Sequence, residues 1–111
     1  MRGWVLAVAL LAVGATAVVT VAADSPEIPL AIERNRFDPE EISVKAGIPF
    51  VLVITNKDGG PEEFESKELR IEKVVPAGKT VRLRMPPLKA GSYPFVGEYH
   101  AKTAKGRIVA E

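Results

Sequence analysis

The 111-residue sequence contains one histidine, no cysteine and two methionines. His100 closes the segment Gly91-Ser92-Tyr93-Pro94-Phe95-Val96-Gly97-Glu98-Tyr99-His100. If that segment is a strand, Tyr93, Phe95, Gly97 and Tyr99 share one face, while Val96 and Glu98 share the other. His100 then falls where the strand runs out into a loop, a place where a lone imidazole is ordinarily a surface residue. A second cluster gives it company. Asn56-Lys57-Asp58-Gly59-Gly60-Pro61 is a tight, glycine-rich loop that leads into Glu62-Glu63-Phe64-Glu65. Three glutamates within four residues exceed what a half-exposed strand needs, because glutamate is depleted in strands and neighbouring like charges repel. The plain explanation is a solvated face balanced by Lys67, Arg70 and Lys73. The chemical one is that carboxylates beside a neutral imidazole suit a hard or borderline ion such as iron, manganese, copper(II) or zinc.

The elements that would position these groups are short. Apolar runs recur at Leu30–Ile32, Ile42–Val44, Phe50–Ile54, Ile71–Val75, Val81–Met85, Tyr93–Val96 and Ile108–Ala110, each closed by Gly, Pro, Asn or Asp. None keeps a helical period for three turns. Val81, Leu83 and Met85 alternate with Arg82 and Arg84, the period of a strand with one face in water. Seven to eight such strands with regular turn signals predict an all-β, antiparallel sandwich. Ser66–Leu69 could hold one helical turn.

Composition narrows the functions. Without cysteine there is no disulfide scaffold, thiolate zinc site, cysteine nucleophile, iron–sulfur cluster or blue-copper centre. No serine–histidine–acid constellation or phosphate-cradling glycine loop stands out. Met1-Arg2 is followed by an uncharged stretch, Gly3 to Ala23, rich in small residues and ending Val21-Ala22-Ala23 before Asp24. Its small-x-small ending predicts a secretory signal peptide over residues 1–23, with an uncleaved membrane anchor as the other reading. Removing it leaves 88 residues with 14 basic and 14 acidic side chains, so nothing draws the domain to nucleic acid. Residues 24–29 are read as a linker and 30–111 as one domain.

The two segments named above also carry a resemblance. Asn56 to Glu62 is similar to the loop that bears the first copper-binding histidine of plastocyanin-type cupredoxins, and Gly91 to His100 is similar to their last strand and ligand loop. Phe37-x-Pro39 with Ile42-x-Val44-x-Ala46-Gly47 resembles their opening strands. The resemblance spans about residues 28–110 and implies a cupredoxin-like Greek-key β-sandwich. The ligands, however, have changed: Glu62 stands at the first histidine position and Gly97 at the cysteine position. The methionine position falls near Thr103 or Ala104, leaving His100 alone of the four.

The segments Glu62–Ser66, Glu72–Lys79 and Pro87–His100 resemble a narrower group, cysteine-less cupredoxins associated with periplasmic ferrous-iron uptake, including the EfeO-type cupredoxin domain. That resemblance implies a periplasmic protein, membrane-anchored if its leader is uncleaved, that binds iron or copper. Its partner would be an inner-membrane iron permease or its accessory proteins, and an accessory ferroxidase role would be open to it. The implied ligands are His100 and Glu62, with Glu98 and Glu63 behind them in an open or homodimer-shared site. A one-residue bulge would exchange the faces of Glu62 and Glu63, so either could be the inner carboxylate. A copper(II) carrier and a metal-free interaction module are the competing readings.

Overall fold

The computed structural model describes Gly3 and residues 25–111; the expected signal peptide, residues 1–23, lies almost entirely outside them. Among the described residues nine strands follow one another: β1 (Glu27–Glu33), β2 (Arg36–Asp38), β3 (Glu41–Val44), β4 (Phe50–Asn56), β5 (Glu62–Ser66), β6 (Ile71–Val75), β7 (Thr80–Met85), β8 (Gly91–Gly97) and β9 (Lys105–Ala110). A 3-10 turn, Glu98–His100, separates β8 from β9. Among the described residues no helix is long and apolar enough to cross a membrane.

The strands form two sheets, ordered β2-β1-β4-β7 and β3-β9-β8-β5-β6. The expected all-β sandwich is therefore present, but its sheets are mixed rather than antiparallel. β1 runs parallel to β4 from Glu27↔Val51 to Ile32↔Asn56, and β3 runs parallel to β9. The chain crosses to the opposite sheet after β2, β3, β4, β6 and β7, so only β1–β2, β5–β6 and β8–β9 are both consecutive in sequence and side by side. Sequence periodicity shows which residues alternate, not which strand becomes a neighbour. β1 also begins inside the stretch read as a linker, because Val51 N–H reaches back to the Pro26 carbonyl and Glu27 pairs with Val51. The added ninth strand is β2, three residues long with only Phe37 buried.

Alternation fills the space between the sheets. Leu30, Ile32, Leu52, Ile54 and Met85 point in from one side, and Ile42, Phe64, Val75, Phe95 and Ile108 from the other. Arg82 and Arg84 stay in water, as the period of β7 requires. The aromatic centre is Phe37 edge-on to Phe95, ring centroids 4.9 Å apart, with Phe64 tilted against Phe95 at 5.0 Å. Such pairs add about 0.5–1.5 kcal/mol to their area burial. They form the floor under the end of the sandwich where Glu62 and His100 lie. Gly106 lets β9 pass over this floor: a Cβ there would lie 2.5 Å from the Phe95 ring and 2.7 Å from the Glu40 carbonyl oxygen.

Candidate metal centre

The loops at this end are tied together by backbone and short side chains. β1 turns into β2 through Arg34 and Asn35, both at positive φ (54° and 57°), the signature of a two-residue type I′ hairpin. Both of their N–H groups donate to the Asp58 carboxylate, at 2.8 and 3.0 Å. Asp58 is itself placed by Asn56, whose Oδ1 accepts the Asp58 N–H at 2.9 Å. The Asn56 amide donates to the Gly60 carbonyl (2.9 Å) and across the sandwich to the Val75 carbonyl (3.0 Å), so this fully buried side chain joins β4 to β6. From the other side, the Thr103 hydroxyl donates to the Asn35 carbonyl at 2.6 Å.

Glu62 is the first residue of β5 and points inward, only 1% exposed. A buried carboxylate is costly unless its lone pairs are used, and here they are. Oε1 accepts the Tyr99 N–H at 2.9 Å and the Glu63 N–H at 3.0 Å, and Oε2 lies 2.6 Å from His100 Nδ1. Space for the group comes from Gly97, the last residue of β8, which pairs with Phe64 two positions along β5. A Cβ at 97 would meet the Glu62 carboxyl carbon at 2.7 Å and the Ala104 Cβ at 2.7 Å. The Gly97 N–H donates to the Ala104 carbonyl and the Ala104 N–H to the His100 carbonyl, each at 2.8 Å, which closes the loop around the pair.

The 3-10 turn is what brings His100 over Glu62. Alternation along β8 stops at Gly97, so Tyr99, placed on the core face by simple parity, is 49% exposed instead. What Tyr99 contributes is its backbone N–H.

The structure thus brings Glu62 and His100 into contact and makes Glu62 the inner carboxylate. Glu63 and Glu98 point the other way, onto the outer face of the five-stranded sheet. There Glu63, Glu65 and Glu72 present carboxylate oxygens within 4.8 Å of one another, since β5 and β6 pair Glu65 with Glu72. Glu98 joins them: a side-chain hydrogen bond with Glu98, followed by loss of solvent and charge repulsion from Glu98 and Glu72, raises the pKa of Glu65. Glu72 and Glu65 were not among the expected ligands. Their meeting depends on the β5–β6 pairing, although the Glu62–Glu65 run was its visible half.

A mononuclear blue-copper centre does not fit these residues. No thiolate exists, its place is glycine, and the carboxyl group of Glu62 fills the volume beneath. The Met85 thioether is buried at the opposite end of the sandwich, paired in the sheet with Phe50 while Asn56 marks the site end of β4.

Comparison with known proteins agrees with the fold. The family model for the cupredoxin-like domain matches residues 3–110, and the chain belongs to that family. The uncharacterized protein RP394 of Rickettsia prowazekii (strain Madrid E) is 35% identical over 83 residues, covering 75% of this chain and 66% of the relative, so the chain spans about two thirds of that protein's length. Among solved structures, auracyanin A, a "blue" copper protein of Chloroflexus aurantiacus, superimposes with a TM-score of 0.68 at 14% identity, covering 79% of this chain and 100% of that one. The metal-binding domain of the Cu(I)-exporting P-type ATPase CopA of Streptococcus pneumoniae D39, with Cu(I), gives a TM-score of 0.64 at 20% identity, covering 77% and 84%. At such identities the likeness is one of fold.

Proposed function

We propose that the protein is an exported, metal-binding cupredoxin-like domain that handles a hard or borderline ion through His100, and that its service is iron supply to an inner-membrane permease. The observation that carries this reading is the state of its one imidazole. Nδ1 is held by a buried carboxylate, while the ring is 37% exposed and stands at the rim of the sandwich. Glu98, two residues before it, and Glu63 offer further oxygens toward the outer face. Nitrogen and oxygen donors without a thiolate or an accessible thioether favour iron or copper(II) over soft copper(I). The small-x-small ending of residues 1–23 supports export, and the resemblance to ferrous-iron uptake cupredoxins supports the partner. The proposal stops at binding, because oxidation of Fe(II) needs an electron acceptor outside this chain.

A copper(II) carrier is the second reading, favoured by the copper proteins among the structural neighbours. One experiment addresses both: the thermal midpoint of the purified protein with Fe(II) under anoxia, Cu(II), Zn(II) or no metal, beside His100→Ala. An ion that binds only the folded state stabilises it by about 2.7 kcal/mol at a hundredfold excess over its Kd. The expected rise is absent in the variant, and the ranking of ions chooses between iron and copper. No rise with any ion leaves a metal-free interaction module.

A further inference from the structure

The contact between Glu62 and His100 admits two roles for the carboxylate, and the geometry separates them. Two atoms that ligate one ion at about 2.0–2.2 Å, at an angle of 90° or more, stand about 3 Å or more apart. Glu62 Oε2 and His100 Nδ1 are 2.6 Å apart, a hydrogen-bond distance with no room for an ion between them. The carboxylate is also not free to move. Its other oxygen accepts two backbone N–H groups, and swinging it away would orphan the donors of Glu63 and Tyr99. Its carboxyl carbon is lodged against Gly97, in a space that a single added methyl group would close.

Exposure is divided in the same sense. The Glu62 side chain is 2% exposed and that of His100 is 37% exposed, so solvent reaches the pair from the imidazole side. His100 makes its side-chain contact through Nδ1. No buried side-chain nitrogen or oxygen among the described residues lacks a partner, so the second ring nitrogen, which makes no bond to protein, reaches water.

We propose that Glu62 is a positioning residue rather than a ligand: it holds His100 as the Nδ1–H tautomer, and the ion is taken by the outward Nε2. The inference rests on the metal-binding reading above and assigns the atom that does the binding. A carboxylate that accepts one ring N–H fixes both the tautomer and the orientation of the ring, which leaves the opposite nitrogen unprotonated and aimed outward. The sandwich then presents a metal donor at its surface while the inner volume stays filled by the carboxylate.

Because the chain has a single histidine, both ring nitrogens can be followed without assignment ambiguity by long-range proton–nitrogen NMR on labelled protein. The probe is Zn(II), in mildly alkaline buffer. Metal-free protein is expected to show a protonated Nδ1 and an unprotonated Nε2. Added Zn(II) should then shift Nε2 while Nδ1 keeps its hydrogen. Glu62→Gln should weaken Zn(II) binding about 10- to 100-fold and release the ring into a mixture of tautomers. Loss of the hydrogen from Nδ1 on Zn(II) binding would make Glu62 a co-ligand, overturning the inference while leaving metal binding intact. Excess Zn(II) that moves neither nitrogen would remove the metal-binding reading, and this proposal with it. The tautomer and Zn(II) readouts on the unaltered protein remain decisive even if Glu62→Gln does not fold.

Discussion

The carboxyl carbon of Glu62 stands 2.7 Å from where Gly97 would carry its Cβ, so the two positions share one volume. The space between them is occupied once, by an anion, and neither residue can be understood alone.

Overfilling that volume is the first consequence. Gly97→Ala forces a methyl group onto both Glu62 and Ala104, and should destabilise the domain by about 1–3 kcal/mol in urea unfolding. Repeating the change in a Glu62→Ala background should cost less, with a coupling of about 0.5–3 kcal/mol between the sites. Additive costs would mean that the clash is with Ala104 and not with the carboxylate.

Emptying the volume is worse. Glu62→Ala leaves the Tyr99 and Glu63 N–H groups and His100 Nδ1 without their acceptor, beside a new cavity. Breaking a buried pair in this way typically costs about 3–5 kcal/mol. A denaturant midpoint close to that of the unaltered protein would show that the loop rearranges to satisfy itself.

Asn56→Ala should act at a distance from the imidazole. It removes the donor to Gly60 and Val75 and the acceptor for Asp58, leaving the buried Val75 carbonyl unmatched at about 1–3 kcal/mol. Amide exchange in residues 57–60 should accelerate more than in β7, and equal acceleration in both would contradict a local loop role.

The outer acidic face predicts an unusual response to pH. The pKa of Glu65 is raised in the folded protein, first by its hydrogen bond with Glu98. A group raised on folding stabilises below its unfolded pKa, and this contribution is lost as pH rises through the folded value. Glu65→Gln should therefore leave the thermal midpoint nearly unchanged well below pH 4.5 and raise it relative to the unaltered protein at neutral pH. A lower midpoint at neutral pH would mean that the charges are held by something other than mutual proximity.

Much of this arrangement is legible in the sequence. The alternation of Val81, Leu83 and Met85 with two arginines gives β7 and its buried face, and the contact of Glu62 with His100 follows from two strand-end segments at one end of a sandwich. Three things are hidden. The exposure of Tyr99 depends on a 3-10 turn that interrupts strand parity after Gly97, and no residue type marks that turn. The parallel pairing of β1 with β4, and the meeting of Glu72 with Glu65, depend on strand order, which is settled by packing rather than by local preference. The structural role of Asn56 is half visible: an Asx turn onto Asp58 is a local habit of asparagine, whereas its bond to Val75 needs the opposite sheet.

The position of β1 and β9 has a bearing on when the protein can fold. Neither lies at a sheet edge: β1 sits between β2 and β4, and β9 between β3 and β8. The early β1 waits for β4 to be made, and the five-stranded sheet has a gap between β3 and β8 until Lys105–Ala110 arrives. The four-stranded sheet can close once β7 is made, whereas the five-stranded sheet needs β9, and losing that strand would split the sheet instead of trimming it.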